Sequence, residues 1–267
     1  MITKNKKPYR PGVLIGIPTT GIVRYEWHSA MQSLVIPTNW ACSSTSQFIR
    51  STMGYTVAEG RNKIVQQFLS TSYEWLFFID HDVLLPPNTF IWVDQYLRNP
   101  PSPVIGGLYY IKSYPTSPLI YRGRGTGAYR KFKLGDKVWC DGLGMGCTLL
   151  HRSILELVAA KAPKDQGVPR VFNTPKEVFY DPESSMWSRK VGTEDLDFLD
   201  RVREGKLLGK TKWKSLVSKK YPYLVDTGLF CWHMDIHGQR FPLDNDLPSG
   251  FGTWMGKQRT TKWASVG

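Results

Sequence analysis

The sequence lacks long hydrophobic segments. No run of about 18 apolar residues, the length that a membrane-spanning helix needs, occurs in it, and the lysine-rich start lacks the apolar stretch of a signal peptide. We therefore expect neither a membrane span nor a secretory leader, and we predict a cytoplasmic protein. Internal repeats and low-complexity tracts are also missing, which argues against fibrous and disordered classes of protein.

Cysteine is scarce as well. The four cysteines, Cys42, Cys140, Cys147 and Cys231, are irregularly spaced, which argues against a disulfide framework and fits a reducing compartment. Two of them precede His151 with the spacing C-x6-C-x3-H, which lacks the tight C-x2-C pair of a structural zinc site. We therefore do not predict zinc binding.

The composition is that of a globular protein with an excess of positive charge. A chain of 267 residues suffices for one sizeable α/β domain with one core, and residues 1–10 and the tail after Gly252 are predicted to be flexible. Lysine and arginine number 35 against 22 acidic residues, a net charge of +13, with the excess concentrated in residues 121–137 and 206–220. Such a surface is either merely solvated or binds a polyanion, and the composition leaves both open.

Short apolar runs alternate with amphipathic segments in the first part of the chain. Residues 13–17 and 76–79 read as buried strands that end in polar residues, and Val57–Leu69 has the spacing of an amphipathic helix. The pattern becomes β-rich at residues 118–140, and helices are expected at residues 153–160 and after Thr193, a suitable N-cap residue. Strands are expected at residues 223–225 and 229–232. This order predicts an α/β fold built on one mixed sheet.

Two acidic residues, Asp80 and Asp82, follow the predicted strand at residues 76–79. In an extended stretch both carboxylates project to one side, and His81 points to the other. Two acids on one face repel each other unless a cation lies near them, and Mn²⁺ or Mg²⁺ accepts such oxygen ligands and also binds diphosphates. We therefore predict a metal site here, although Asp-x-Asp pairs are also common in turns.

The segment at residues 77–87 resembles the strand and Asp-x-Asp segment of family 2-like glycosyltransferases with the GT-A fold. Further motifs follow in the order of that family: Arg61 and Asn62 at a helix start, a Gly106-Gly107 turn, Gly144-x-Gly146 before a strand, Thr193-Glu194-Asp195, and a late His233. The resemblance covers roughly residues 12–235. It implies a GT-A-like single domain with a Rossmann-like mixed sheet flanked by helices. Residues 12–105 would bind the nucleotide-sugar and residues 106–240 the acceptor.

The resemblance also implies an activity and its cofactor. It implies a metal-dependent glycosyltransferase that moves a sugar from a nucleoside diphosphate, with UDP the commonest carrier in the family, to an acceptor hydroxyl with inversion. The implied donor-binding residues are Pro18, Thr19, Thr20, Arg61, Asp80 and Gly107. The implied ligands of Mn²⁺ or Mg²⁺ are Asp80, Asp82 and His233, with Asp235 and His237 as substitutes for the histidine.

Glu194 and Asp195 occupy the position where this family keeps its catalytic base. An alcohol is a poor nucleophile at neutral pH, and a carboxylate can take its proton during attack. We assign the base to Asp195 and a helper or acceptor-binding role to Glu194. Acidic residues at a helix start also stabilise the helix dipole, so a capping role stays open. The glycine-rich residues 142–146 are interpreted as a close backbone approach to the sugar or the acceptor.

The later of the two basic stretches bears on the acceptor. Residues 205–221 carry six lysines and Trp213, and lysines interleaved with aromatic residues are typical of nucleic-acid-binding surfaces. We expect this loop to flank the acceptor side. We therefore hypothesise a polyanionic acceptor such as hydroxymethylated DNA, as in phage-encoded glycosyltransferases that act in the host cytoplasm, with the target base flipped out of a duplex. The alternatives are a cell-surface glycan acceptor, a nucleotidyltransferase and a non-catalytic nucleic-acid-binding protein.

Overall fold

The computed structural model describes residues 10–48, 56–124, 127–181, 186–191 and 193–254. The flexible ends predicted from the sequence fall mainly outside these ranges, at residues 1–9 and 255–267. Within the described ranges, no helix combines the length and the hydrophobicity needed to cross a membrane.

The strands are, in chain order, β1 (Gly12–Thr19), β2 (Ala41–Phe48), β3 (Trp75–Ile79), β4 (Val83–Leu84), β5 (Val104–Leu108), β6 (Ile120–Tyr121), β7 (Lys137–Cys140), β8 (Gly142–Leu143), β9 (Cys147–His151), β10 (Lys164–Asp165), β11 (Val168–Pro169), β12 (Lys176–Asp181), β13 (Met186–Val191), β14 (Tyr223–Phe230), β15 (Trp232–Met234) and β16 (Arg240–Phe241). The helices are α1 (Tyr25–Gln32), α2 (Val57–Leu69), α3 (Thr89–Arg98), α4 (Arg152–Ala159) and α5 (Glu194–Glu204), with short 3₁₀ helices at Leu207–Lys210, Lys214–Leu216 and Asp244–Asp246.

A seven-stranded mixed sheet with the order β2-β1-β3-β9-β5-β14-β7 organises the fold. β1 is parallel to β2 and β3, and β14 is parallel to β5. β9 is antiparallel to both of its neighbours, β3 and β5, so those two strands run in the same direction. The five strands β1, β2, β3, β5 and β14 therefore all end at one edge of the sheet, which is where α/β proteins bind ligands.

Both faces of this sheet are buried. On β3, Leu76 and Phe78 pack in a core with α2, α4 and α5, whereas Trp75, Phe77 and Ile79 pack on the opposite face with α1 and α3. A sheet covered on both sides buries consecutive strand residues, which explains the continuous apolar runs in the sequence. The architecture confirms the predicted mixed α/β sheet flanked by helices and is compatible with a GT-A-like domain.

The helix starts follow from local side-chain contacts. At α2, the Thr56 hydroxyl accepts a hydrogen bond from the Glu59 amide, and the Glu59 carboxylate accepts one from the Thr56 amide. This capping box satisfies amide groups that the first helical turn leaves without partners, and α2 has the bounds predicted from the sequence. Helix α5 begins after Thr193 as expected, but the Thr193 side chain makes no capping hydrogen bond.

A small three-stranded sheet connects the end of β3 with the end of β14. β15 lies between β4 and β16, and His233 of β15 pairs with Val83 of β4. Two local expectations are wrong. Gly106 and Gly107 lie inside β5 and do not form a turn. The strands expected at residues 223–225 and 229–232 are instead one continuous strand, β14, followed by β15.

Candidate active site

Several of the predicted site residues lie at the edge where the parallel strands end. β1 leads to Thr20, β3 leads to the acidic residues at positions 80 and 82, and β14 leads to His233 through β15. The N-terminal turns of α2 and α5 contribute Arg61 and Asp195. Side chains from distant parts of the chain therefore meet around the turn that follows β3.

That turn separates the two acidic side chains. The Val83 amide donates a hydrogen bond to the Asp80 carbonyl at 3.1 Å, so residues 80–83 form a tight turn and are not extended. The Asp80 carboxylate contacts Arg61, whereas the Asp82 carboxylate contacts His233. The expectation that both carboxylates project to the same side is therefore wrong, because it assumed extended backbone.

Arg61 lies at the centre of an acidic cluster. Its guanidinium group is 3.0 Å from Asp80 Oδ1, 3.5 Å from Glu194 Oε1 and 3.7 Å from Asp195 Oδ1. The residue is only 1% exposed and its guanidinium lies against the Phe78 ring. A buried cation with three carboxylates around it positions those carboxylates. The resemblance implied that Arg61 binds the diphosphate. In the structure its side chain is enclosed and already forms ion pairs with carboxylates, so it is not exposed to a diphosphate.

The Asp195 carboxylate is held in a setting that suits a base. Its Oδ2 accepts a hydrogen bond from the Met145 amide at 3.0 Å, and its Oδ1 has no hydrogen-bond partner among the described residues. Burial and the negative charges of Glu194 and Asp80 raise the pKa of Asp195 to about 7, against the lowering effect of Arg61. The side chain is 16% exposed as a whole, but its unpartnered Oδ1 is buried.

A buried tyrosine explains the glycines that precede β9. The Gly146 amide donates a hydrogen bond to the Tyr109 hydroxyl at 2.7 Å, and a Cβ atom on Gly144 would lie 2.2 Å from the same oxygen. Burial and the charges of Asp195 and Asp80 raise the pKa of Tyr109 well above its ordinary value, so the phenol stays neutral. These glycines make room for the protein's own side chains, which corrects the interpretation of residues 142–146 as an approach to a sugar or an acceptor.

On the other side of the turn, Asp82 lies between two nitrogen groups. Its Oδ1 is 3.4 Å from His233 Nε2, and its Oδ2 accepts a hydrogen bond from the Lys112 ammonium. Burial alone would raise the pKa of Asp82, but the hydrogen bond and charge of His233 and the charge of Lys112 lower it well below its usual range. His233 Nδ1 donates to the Tyr110 carbonyl at 2.7 Å, because a carbonyl oxygen only accepts. Nε2 is therefore the ring nitrogen that faces Asp82, where it donates to the carboxylate when the ring is protonated and could bind a metal ion when the ring is neutral.

A divalent ion between Asp82 Oδ1 and His233 Nε2 fits these two donors. Ligands about 2.1 Å from one ion lie about 3.0 to 3.4 Å apart for angles of roughly 90° to 109°, and the observed separation is 3.4 Å. Among the described residues, no three His, Cys, Asp or Glu side chains are grouped to hold an ion. Asp80, the predicted third ligand, contacts Arg61 instead. The remaining positions would thus fall to water and substrate oxygens, as is usual for Mg²⁺.

The loop after β1 forms the outer side of the site. His81 connects it to the turn, with Nδ1 3.2 Å from the Pro18 carbonyl and Nε2 3.4 Å from the Thr20 hydroxyl. The Gly21 amide donates to the Thr19 hydroxyl, and Gly21 has a φ of 87°, a conformation that favours glycine. Pro18 and Thr19 are buried and shape the loop, so Thr20 is the one of the three predicted donor-binding residues that is exposed.

Gly107 does not belong to this surface. It is buried in β5, and a Cβ atom there would lie 2.9 Å from Cys147 Sγ and 2.9 Å from the Leu229 carbonyl. The absence of a side chain serves sheet packing, which corrects its assignment to donor binding. Asp235, one of the two substitutes for His233, accepts hydrogen bonds at its Oδ1 from the His237 and Gln239 amides within a turn.

The lysine-rich segment at residues 206–220 lies at the opposite edge of the sheet. Trp213 packs against Trp75, the first residue of β3, and against His151, the last residue of β9. Its indole also donates a hydrogen bond to the Pro100 carbonyl, before β5 begins. A five-residue strand spans roughly 16 Å, so this segment is separated from the turn after β3 by at least the length of a strand. The expectation that it flanks the acceptor side is wrong, and Trp213 is a buried packing residue.

Two residues of the site are not among the predicted ones, Tyr109 and Lys112. Both follow β5, whose end lies at the same edge as the end of β3. The signal in the sequence is the polar and aromatic stretch after the apolar residues 104–105, since residues that follow parallel strands meet at one edge. Cys147 and Cys231 are buried with sulfur atoms 3.6 Å apart, and His151 lies at the opposite edge of the sheet.

Comparisons with known proteins bear on the fold. No protein-family model matches the chain, and no curated protein matches it by sequence. The crystal structure of A197 from STIV aligns with a TM-score of 0.51 and 19% identity, covering 85% of this chain and 86% of that one. The chain shares its fold with A197. At this level of identity, the similarity concerns the fold alone.

A second solved structure is a glycosyltransferase involved in the glycosylation of the major capsid of PBCV-1. It aligns with a TM-score of 0.32 and 15% identity, covering 55% of this chain and 63% of that chain. A similarity of this size carries no argument about function, which has to come from the site itself.

Proposed function

We propose that the protein is a glycosyltransferase that moves a sugar from a nucleoside diphosphate to an acceptor hydroxyl, assisted by Mn²⁺ or Mg²⁺. The observation that carries this proposal is that residues able to stabilise a leaving diphosphate and a carboxylate able to act as a base lie on opposite sides of one short turn. Asp82, His233 and Lys112 lie on one side, and Asp195, with a pKa raised to about 7, lies on the other. Displacement at a sugar carbon needs both charge stabilisation for the leaving diphosphate and a base for the attacking hydroxyl.

Asp195 would act as the base. The acceptor oxygen forms a bond to the anomeric carbon as the bond from that carbon to the diphosphate oxygen breaks. The hydroxyl proton passes to Asp195, and the electron pair of the broken bond leaves with the nucleoside diphosphate. A pKa near 7 suits this role, because a base works best when its pKa lies near the working pH. Such a single displacement inverts the anomeric centre.

Asp82 and His233 would hold the leaving-group side. A divalent ion bound there would neutralise the charge that develops on the departing diphosphate. The Nδ1 contact to the Tyr110 carbonyl fixes the His233 ring with its Nε2 towards Asp82, where a neutral ring could bind an ion. Thr20 and the exposed loop that follows it lie next to His81 and would contact the nucleoside, for which UDP is the first candidate.

For the acceptor, we propose a glycan. Tyr25 and Tyr114 are 80% and 81% exposed at the edge where the parallel strands end, and exposed aromatic rings can pack against the C–H faces of sugars. The lysine-rich segment, which motivated a nucleic-acid acceptor, lies at the opposite edge of the sheet. Hydroxymethylated DNA therefore serves as the comparison acceptor in the test.

The proposal is tested by release of nucleoside diphosphate. The protein is incubated with UDP-, GDP-, ADP- and dTDP-sugars, with Mn²⁺ or with a chelator, and with glycan acceptors or hydroxymethylated DNA. We expect Mn²⁺-dependent release with one donor in the presence of a glycan. Asp195→Asn should reduce transfer by about 10² to 10⁴-fold, the usual contribution of a positioned base. Asp82→Asn should abolish the Mn²⁺-dependent release of nucleoside diphosphate. Asp165→Asn, which changes a side chain that is 52% exposed, should match the wild type.

Each outcome has a distinct meaning. Full transfer activity of Asp195→Asn would show that Asp195 is not the base, but it would not contradict the glycosyltransferase activity. Release that requires modified DNA would overturn the glycan proposal. Absence of release with every donor would overturn the glycosyltransferase proposal, and pyrophosphate release from nucleoside triphosphates would then establish a nucleotidyltransferase.

A further inference from the structure

The Lys112 ammonium occupies a particular position in the site. Lys112 follows β5 at the base of a loop that is closed by a 2.9 Å hydrogen bond from the Ile111 amide to the Ser117 carbonyl. Its ammonium donates to Asp82 Oδ2, while His233 Nε2 faces the other carboxylate oxygen, Oδ1. An ion held by Oδ1 and Nε2 therefore need not displace Lys112, and the two cations would lie side by side.

The Lys112 ammonium has more hydrogen-bond donors than its contact with Asp82 uses. An ammonium group has three N–H donors, and among the described residues Asp82 is the one acceptor that contacts it. The Lys112 side chain is 33% exposed. Partly exposed ion pairs add little to stability, so the contact with Asp82 alone gives a weak reason for a lysine at this position.

We propose that Lys112 binds the diphosphate of the donor directly, keeping one hydrogen bond on Asp82 and giving the other donors to diphosphate oxygens. This inference rests on the proposed function, because it names a further ligand for the same leaving group. The chemistry is that of a compact cation with rotatable donors, which is how lysine usually binds phosphate groups.

The position of Lys112 has two opposite electrostatic consequences. Without a diphosphate, its positive charge repels a divalent ion held by the same carboxylate and weakens metal binding. With a diphosphate bound, both cations face several negative charges, so Lys112 strengthens binding. Removal of Lys112 should therefore tighten the binding of the metal alone and weaken the binding of the diphosphate. A lysine that only anchors its loop would not move the two affinities in opposite directions.

The test uses Mn²⁺ alone and Mn²⁺ with inorganic pyrophosphate or UDP, with free Mn²⁺ measured by electron paramagnetic resonance and ligand affinity by calorimetry. The variants are Lys112→Met and Lys112→Arg. The matched control is Lys212→Met, which removes the same charge at the opposite edge, where Lys212 lies over the Trp213 ring. No sugar transfer is needed for either readout.

We expect Lys112→Met to bind Mn²⁺ alone severalfold more tightly and pyrophosphate about tenfold or more weakly, the loss typical of a charged hydrogen bond. Lys112→Arg should restore most of the pyrophosphate affinity, and Lys212→Met should match the wild type. Lys112→Met affinities that equal the wild type, or that move in the same direction, would overturn the role of Lys112 alone. Failure of the wild type to bind Mn²⁺ with or without either diphosphate would overturn this role together with the metal-assisted function.

Discussion

Replacing Asp195 by asparagine should stabilise the folded protein at pH 8, although it removes the proposed base. The Asp195 carboxylate shares one guanidinium, that of Arg61, with Asp80 and Glu194, so three negative charges face one positive charge. Ionising Asp195 in this enclosed cluster costs free energy that an isosteric neutral amide does not. The ionised form of Asp195, which the proposed reaction requires, is thus unfavourable in the folded protein.

The magnitude follows from the pKa. Folding raises the pKa of Asp195 from 3.8 to about 7, and one pKa unit corresponds to about 1.4 kcal/mol. The group binds a proton more tightly in the folded state, so its contribution to stability is fully present below pH 3.8 and is lost as the pH rises through 7. The loss totals about 4 kcal/mol by pH 8, of which more than half falls between pH 5 and pH 8.

The assay is urea unfolding of the wild type and Asp195→Asn at pH 5 and pH 8, followed by tryptophan fluorescence. The difference in the free energy of unfolding between the two proteins should shift in favour of the variant by about 2 to 3 kcal/mol from pH 5 to pH 8. Asp200→Asn is the control on the same helix. Asp200 forms ion pairs with Arg124 and Arg203, so its replacement should destabilise the protein. If the difference in the free energy of unfolding between Asp195→Asn and the wild type is the same at pH 5 and pH 8, the reasoning is refuted.

Three further predictions follow from the site and its surroundings. The kcat/KM of transfer should rise with pH along a limb centred near 7, because Asp195 must lose its proton, and a profile that is flat from pH 5 to 8 would contradict this. The double variant of Lys210 and Lys214 to glutamine should keep kcat/KM within about twofold in steady-state assays, because both lysines lie in the segment at the opposite edge of the sheet; a large drop would restore an acceptor role for that segment. Gly144→Ala should lower the free energy of unfolding by about 1 to 3 kcal/mol in urea titrations, since its Cβ would lie 2.2 Å from a tyrosine oxygen. Gly209→Ala, whose Cβ would meet an ordinary contact at 3.4 Å, should change it by less than about 0.5 kcal/mol.

Much of the fold was predictable because its elements have strong local signals. α2 has the apolar spacing of an amphipathic helix, and β3 is a continuous apolar run, so both were predicted nearly to the residue. The convergence of Asp82, His233 and Asp195 at one edge follows from polar residues placed at the ends of strands and at the start of a helix. Such signals depend on neighbouring residues, which a sequence displays directly.

The errors concern contacts between distant segments. The direction of the Asp80 carboxylate depends on the turn closed by the Val83 amide and on the buried guanidinium of Arg61. Neither is visible in the local sequence, which allows an extended Asp-x-Asp equally well. Loop paths are similarly hidden, and Lys112 reaches Asp82 only because the β5 loop returns towards β4.

The lysine-rich segment was misplaced for a topological reason. It leads into the start of β14, and β14 runs parallel to β5, so the segment must lie at the edge where the parallel strands begin. The direction of β14 relative to its neighbours depends on the strand pairing, which the sequence pattern does not reveal. Once that pairing is known, the position of Trp213 at the far edge follows.

The turn after β3 also limits how the chain can tolerate changes in length. Its peptide groups are tied to three separate elements: the Asp80 carbonyl accepts from the Trp27 indole, the Asp80 amide donates to the Gly146 carbonyl, and the Asp82 carbonyl accepts from the Met234 amide. The turn is thus a spacer of fixed length between the atom that would receive the proton and the atoms that would hold the departing group. Insertions in the outer loops would change which molecules are recognised. A single residue inserted at this turn would instead displace Asp82 relative to Asp195.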